Sequence, residues 1–339
     1  MKILIFTDNH FCESSSIVRQ FGTKYSIRLE NQIASLDWVE KTAKEKGCKA
    51  VICAGDFFDK PTLTDSELTA LRDISWNDLP HYFLVGNHES SVNGLTFSST
   101  KALEAPDRHV VAEPTTLRIG EAEICFLPYV IESDRKPVGE YFGERSGKRV
   151  IISHNDLLGL QMGPIASKTG FAMTDLESNA DLIVNGHLHN GQKVSDKIIN
   201  LGNLTGQNFS EDAEKYRHNV MILDLTTLKY ELIENPYAIN FYKIDVKNDH
   251  DLDKLKNLNG ASAVSVSCVE SLIKECKDVI SNLANAIASR VIVVSEASRD
   301  GASGEIDFSV DYISKFVDCA KKIYGDGRIL NEELAEICK

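Results

Sequence analysis

The sequence has no CxxC pair. Its eight cysteines, Cys12, Cys48, Cys53, Cys125, Cys268, Cys276, Cys319 and Cys338, are scattered along the chain, which argues against a zinc ribbon or a dithiol redox motif and fits free thiols in a reducing compartment. Cys53 and Cys125 lie inside apolar runs and read as core residues. Long apolar runs are missing too. The opening Met1-Lys2-Ile3-Leu4-Ile5-Phe6 holds only four successive apolar residues before Thr7, against roughly 7–15 for a signal-peptide core and about 20 for a spanning helix. A cytoplasmic protein with no membrane partner is expected. Positive charge is scarce: 37 Lys and Arg stand against 50 Asp and Glu, a formal net charge of −13. Non-specific grip on nucleic acid comes mainly from neutralised phosphates, so bound cations or a second protein would have to supply the missing positive field, or else the substrate is small. Internal repeats and low-complexity tracts are absent.

What is present is 339 residues, 42% of them hydrophobic, enough for a substantial core in two domains or in one large domain with an appendage. Strand-like and helix-like segments alternate through the first half. Lys2–Phe6 reads as a strand. Over Arg28–Lys46 the apolar positions Leu29, Ile33, Leu36, Val39 and Ala43 recur at the three-and-four spacing of a helix packed by one face, and Gly47 stops it. Thr64-Asp65-Ser66-Glu67 has capping-box spacing and opens a helix to about Ile74. Residues 50–54, 81–85, 123–127, 149–153 and 181–185 read as further strands, each ending at or just before a polar cluster. Alternation of this kind predicts an α/β layered domain with its active groups at strand ends.

From Lys193 the pattern changes to hairpins, at 197–201, 219–225 and 229–233, which suggests a second sheet packed on the first. Asn235-Pro236 marks a boundary. Beyond it, strands at 241–246, 263–269 and 290–294 with helices near 252–258 and 271–287 predict a small βαβαβ unit. Arg299-Asp300-Gly301-Ala302-Ser303-Gly304 reads as a linker, followed by amphipathic helices around 310–324 and 330–337. The expected division is therefore 1–236, 237–298 and 299–339.

Five clusters carry the chemistry: Asp8-Asn9-His10, Gly55-Asp56, Gly86-Asn87-His88-Glu89, His154, and Gly186-His187-Leu188-His189. Five of the nine histidines fall in them, and each cluster follows an apolar run. Two divalent ions roughly 3.5–4 Å apart need a bridging carboxylate to offset their repulsion, and Asp56 is the natural bridge. Asp8 and His10, two apart at a strand end, can hold one ion, with His189 returning to it. Asn87, His154 and His187 can hold the other. Mixed nitrogen and oxygen donors suit manganese or iron better than magnesium. Any one of these residues alone is weak evidence, since most strand-end histidines are ordinary hydrogen-bonded residues; the conjunction in this order is what carries weight.

The order Asp-x-His, Gly-Asp-x-x-Asp (Gly55, Asp56, Asp59), Gly-Asn-His-Glu, His, Gly-His-x-His resembles the calcineurin-like metallophosphoesterases over about residues 1–190. The resemblance implies a two-sheet sandwich flanked by helices, to which the later residues add the small α/β cap and the C-terminal helical hairpin read above. It implies metal ligands at Asp8, His10, Asp56, Asn87, His154, His187 and His189. His88 would then stabilise or protonate the leaving oxygen while water attacks phosphorus in line, and Asp59 would support the site through hydrogen bonds. No Ser or Cys nucleophile motif accompanies the set.

Beyond the metal motifs the chain is similar to SbcD-type nucleases, most of all the short phage recombination endonuclease subunits. The likeness lies in residues 155–176, in 199–211, in the unit at about 240–296 and in the terminal helices. It implies a manganese-dependent DNA exo- or endonuclease subunit acting in recombination, repair or processing. DNA and an SbcC-type coiled-coil ATPase are the expected partners, a homodimer is a further assembly to test, and the host cytoplasm is the place if the chain is phage-encoded. The sequence departs from bacterial members at Phe11-Cys12, where Leu-Gly is usual, and its cap is short and acidic. The alternative is a phosphodiesterase or phosphatase acting on a small molecule or phosphoprotein. Lys148, Arg149, Lys168, Lys193 and Lys215 are candidate phosphate contacts; Tyr129, Phe142 and Phe171 are given no role.

Overall fold

The computed structural model describes residues 1–14, 22–91, 94–119, 122–162, 165–211, 213–258, 261–283 and 286–293. Residues 1–293 belong to one compact unit. The expected linker and terminal helices lie outside the described residues.

Two six-stranded sheets make the body. Across the first sheet the strands run Tyr230–Glu234, Asn219–Asp224, Lys2–Phe6, Val51–Cys53, His81–Leu84 and Arg108–Val111. The last four are mutually parallel, and the Asn219–Glu234 hairpin adds antiparallel to Lys2–Phe6. Across the second the order is Gln192–Lys193, Ile198–Asn200, Leu182–Asn185, Lys148–Ser153, Ala122–Leu127 and Thr115–Ile119, again with four parallel strands and antiparallel edges.

Side-chain alternation along these strands builds the layers. Leu4 and Phe6 pack outward with Leu29, Leu36, Val39 and Ala43 of the helix Ile27–Glu45. Ile3 and Ile5 pack inward with Ile124, Phe126, Val150 and Ile152 of the second sheet. Cys125, Leu127 and Ile151 face the other way, onto Val138, Phe142 and Leu176. With both faces covered, these strands read as continuous apolar runs. The result is a helix–sheet–sheet–helix sandwich.

The helix Ile27–Glu45 starts at Ser26, whose hydroxyl accepts from the Leu29 N–H. The capping box at Thr64 and Glu67 forms as expected, but the α-helix ends at Ala70 and continues as a 3-10 turn over Leu71–Asp73. Two expectations change. The second sheet begins at Thr115, well before Lys193, and the 219–234 hairpin extends the first sheet by pairing with Lys2–Ile5. The hairpin rhythm marks antiparallel edges of both sheets, so it could not locate the change of sheet.

The cap unit has parallel strands Asn240–Val246, Ser262–Cys268 and Ala286–Val293 with helices Asp249–Lys256 and Ile273–Ser281 on the face of Ile244, Val264 and Val266. The second helix is shorter than expected because Asn282 caps it, its side-chain amide donating to the Asp278 carbonyl. The cap rests on the 206–213 segment through Gly206 N–H to Ile239 O (3.0 Å), Ala213 N–H to Phe241 O (3.1 Å) and an edge contact of Phe209 on Phe241. No helix among the described residues is long and apolar enough to cross a membrane.

Candidate metal centre

Beyond Phe6 and Cys53 the first two parallel strands stop, yet their loops stay zipped. Ala54 N–H donates to Phe6 O (2.8 Å), Asp8 N–H to Gly55 O (3.0 Å) and His10 N–H to Asp56 O (3.0 Å). Inside this zipper φ is +49° at Asp8, +47° at His10 and +48° at Asp56, and His187 takes +78° on the facing loop. Non-glycine residues seldom occupy this region, and only Leu228 joins these four among the described residues. Strain concentrated in one cluster, and held there by its neighbours, is typical of functional sites. The motif glycines make the approach possible: a Cβ on Gly55 (φ +107°) would strike the His154 ring, and one on Gly186 would strike Thr7 Oγ1 and His154.

The seven candidate ligands and His88 converge here. Asp8, His10 and His189 present ligand atoms within 4.8 Å of one another, as do Asp56, His154 and His187. Asp56 Oδ2 lies 3.1 Å from His154 Nε2 and 3.9 Å from His10 Nε2, so a single oxygen faces both groups. Asn87 Oδ1 is 2.9 Å from His187 Nδ1. Asp8 Oδ2 accepts from the Thr7 hydroxyl (2.6 Å) and the His187 N–H (3.0 Å), which leaves Oδ1 buried without a hydrogen bond.

Three histidines are each backed by a carboxylate. His10 Nδ1 meets Asp59 Oδ1 (3.1 Å), His187 Nε2 meets Asp156 Oδ1 (3.0 Å) and His189 Nδ1 meets Glu211 Oε1 (3.1 Å), while His154 Nδ1 meets the Ala54 carbonyl (2.8 Å). An ionised carboxylate and a carbonyl only accept, so these ring nitrogens donate, and in each neutral ring the other nitrogen is a lone pair turned into the centre. The lone pairs then face one another: His10 Nε2 and His189 Nε2 are 3.0 Å apart, and His187 Nδ1 faces the Asn87 carbonyl oxygen. Acceptors that converge without a proton between them suit a shared cation; two nitrogens about 2.1 Å from one ion at a right angle stand about 3 Å apart. The donor set therefore fits two divalent ions, one on Asp8, His10, Asp56 and His189, the other on Asp56, Asn87, His154 and His187.

The electrostatics agree. Burial works against charge on Asp56, yet His154, His10 and His88 hold its carboxyl well below the usual range. Burial likewise opposes charge on His154, but Asp56 and Asp8 push it up to about 9. A pocket that draws a proton onto a buried imidazole is one in which a cation can replace that proton. Glu89 differs: burial, then Asp56, raises its carboxyl to about 8, while its oxygens take the N–H groups of Phe58 (2.9 Å) and Gly86 (2.8 Å) and so lock the second and third motifs together.

His88 stands at the rim. Its side chain is 43% exposed beside Asp56 at 2%, its N–H donates to Asp56 Oδ1 (3.0 Å), and its Nδ1 is 3.1 Å from the Asp59 carbonyl oxygen. His10, Asp56 and His88 also form a group of three within 4.8 Å, so the distances admit a ligand role beside the leaving-group role.

Sequence reasoning gave no role to Asp156 or Glu211. Asp156 follows His154 by two residues in a polar stretch, the only hint available; Glu211 gave no signal, because loop closure alone brings it to His189. The reading of Arg149 as a phosphate contact is corrected by its burial, and Lys148, though exposed, stands away from the centre. Both sit at the start of the Lys148–Ser153 strand, about 17 Å from its His154 end at about 3.3 Å per residue. Arg149 is buried against Glu123 (3.0 Å), and Lys148 donates to the Thr226 carbonyl. Lys193 pairs with Asp196 at 2.7 Å. Phe142 and Phe171 are core residues, and the Tyr129 ring lies 6.1 Å from that of His187.

Against known proteins, a model of the calcineurin-like phosphoesterases matches residues 1–191. The chain belongs to that family. Membership makes this phosphoesterase a metal-dependent hydrolase of phosphoesters, and the clusters above are where its divalent ions fit. No curated protein matches the chain. Among solved structures, a novel archaeal phosphodiesterase aligns at 15% identity over 69% of this chain and 99% of its own, with a TM-score of 0.35. TT1561 of Thermus thermophilus aligns at 14% over 69% and 98% (TM-score 0.41), and a dimetal phosphatase from Danio rerio at 12% over 69% and 98% (TM-score 0.37).

Glu211→Gln in this phosphoesterase is expected to weaken binding at the Asp8–His10–His189 site about 10–100-fold, the usual effect of losing a ligand's hydrogen-bonded support. Manganese titration of the purified variant checks it; unchanged affinity for both equivalents would show that Glu211 only braces its loop.

Proposed function

We propose that this phosphoesterase is a manganese-dependent DNA nuclease subunit of the SbcD type, which hydrolyses phosphodiester bonds in recombination, repair or processing together with an SbcC-type ATPase docked through residues 299–339. The observation that carries the reading is the open rim of the site. The ligand cluster is buried at Asp8, His10, Asp56 and His154, half-buried at His187 (17% exposed) and His189 (26%), and open where Asp59 (41%) and His88 (43%) stand, so a phosphate whose chain continues on both sides can reach it without being enclosed.

The two cations, when bound, would neutralise the phosphoryl group and activate water. The chain's own residues do the rest. Asp59 takes the Nδ1–H of His88 with its carbonyl and lies 3.6 Å from the same nitrogen with its carboxylate. That leaves Nε2 of His88 for the leaving oxygen, to which a proton carried there can be given. Asp59 also orients His10, while Asp156 and Glu211 orient His187 and His189. Four imidazoles and an amide make a poor magnesium site, which supports manganese.

A second reading, hydrolysis of small phosphodiesters, is favoured by the net charge of −13. Oligonucleotides, bis(p-nitrophenyl) phosphate and p-nitrophenyl phosphate, each offered with manganese at low salt, separate the two. The nuclease reading expects slow cleavage of oligonucleotides by the chain alone, suppressed by salt and accelerated by the ATPase. Diester hydrolysis with DNA left intact under every condition would transfer the assignment to small substrates.

A further inference from the structure

Arg135 lies just past the 3-10 turn Glu132–Asp134, in the loop that joins the strands Ala122–Leu127 and Lys148–Ser153 of the second sheet. No sequence motif marks it. Its side chain is only 10% exposed, and its guanidinium lies 5.8 Å from the centre of the Phe171 ring. Nε donates to the Val130 carbonyl (3.2 Å) and Nη2 to Asp156 Oδ2 (3.3 Å).

The partners of these groups lead into the metal centre. Asp156 uses its two oxygens separately: Oδ2 takes Arg135 and Oδ1 takes His187 Nε2 at 3.0 Å. His187 then presents Nδ1 to Asn87 Oδ1 at 2.9 Å. The loop itself is fixed from both sides, through Val130 N–H to Asn155 Oδ1 (2.9 Å) and Tyr129 N–H to Val85 O (3.0 Å), the last residue before Gly86-Asn87. The guanidinium is thus held by a loop that is anchored to both halves of one cation site. A carboxylate with one oxygen unheld can rotate about its terminal torsion, which is broad and soft; with Oδ2 held by Nη2 of a guanidinium that Nε ties to the Val130 carbonyl, its orientation toward His187 is set.

We propose that Arg135 is a positioning residue for the second cation site, acting through Asp156 to hold His187 with Nδ1 turned toward Asn87. The proposal rests on reading His187 and Asn87 as ligands of that site. Its reach is one-sided. Arg135 makes no hydrogen bond or ion pair to Asp8, His10 or His189; His10 and His189 are supported by Asp59 and Glu211 and Asp8 by backbone and the Thr7 hydroxyl, so its loss should split two affinities that wild type keeps together.

The test is titration of the full-length protein with Mn2+ alone, following the free-ion electron paramagnetic resonance signal. Wild type should bind two equivalents. Arg135→Met should weaken the second about 10–100-fold, the scale of a lost outer support, and leave the first unchanged. Arg135→Lys should recover part of that loss, because an ammonium supplies the charge without the rigid second donor that ties the guanidinium to Val130. Asp156→Asn should reproduce the loss, and combining it with Arg135→Met should add little, since both changes break one chain of contacts. Three results would overturn the proposal. Two tight equivalents in Arg135→Met with a raised KM for bis(p-nitrophenyl) phosphate would make Arg135 a substrate contact. Equal weakening of both equivalents with a lowered Tm would make it ordinary packing. Fewer than two equivalents in wild type would remove the two-ion reading itself, and this inference with it.

Discussion

Asp56→Asn is expected to abolish activity, lowering hydrolysis of bis(p-nitrophenyl) phosphate at least about 10³-fold, and to strip both cations from the purified protein. Asn keeps the shape of Asp and can still accept the His88 N–H, which Asp56 Oδ1 now takes at 3.0 Å. It cannot keep the charge. Two divalent ions about 4 Å apart repel strongly: even unit charges at that distance interact by about 4 kcal/mol at an effective dielectric of 20, and doubly charged ions by a multiple of this. The oxygen that faces both His10 and His154 is the buried anion placed to offset that repulsion. Elemental analysis of the dialysed variant beside the wild type decides the matter. A variant that retains two manganese equivalents and near-normal turnover would show that Asp56 does not bridge.

That result would test the part of the site the sequence made most legible. The seven candidate ligands and His88 could be found without coordinates because each sits just past an apolar strand, and parallel strands with buried faces deliver their ends to one edge. Lys2–Phe6, 81–84 and 182–185 could be read for the same reason. The groups that orient the ligands could not. Asp156 and Glu211 reach His187 and His189 only because loops fold back, and an isolated Asp or Glu carries no periodic signal. Arg135 is less legible still, since its role depends on which oxygen of Asp156 is left to it. The partition into sheets failed for a related reason. Thr115–Ile119 is half exposed at an edge and lacks the dense apolar character of the inner strands, while antiparallel hairpins end both sheets alike. Arg149 shows the converse: a strand has two ends, and a basic residue beside a site motif in sequence can stand buried at the far one. Cap elements were predicted well where Ile244, Val264 and Val266 alternate over one buried face, and poorly at the end of the last helix, where Asn282 rather than a glycine or proline stops it.

His88→Ala is expected to lower turnover about 10²–10⁴-fold, the range for a positioned acid or base, without loss of a metal equivalent. The reasoning rests on where the ring is held. Its backbone N–H is given to Asp56 and its Nδ1 to the Asp59 carbonyl, so the side chain is fixed from behind at an exposed rim and one nitrogen remains for substrate. The competing role is as a ligand, since His88 lies with His10 and Asp56 in a group tight enough to hold an ion. Metal content alone separates these: two equivalents retained means a leaving-group residue, and one equivalent lost means a ligand. A second measurement uses the leaving group. A p-nitrophenolate departs without needing a proton, whereas the alkoxide of a dinucleotide needs one badly. If His88 donates that proton, the variant should lose far more activity on thymidylyl thymidine than on bis(p-nitrophenyl) phosphate. Equal losses on the two substrates would mean that His88 stabilises the phosphoryl group itself, and the proton for the leaving oxygen would have to come from water at the open rim.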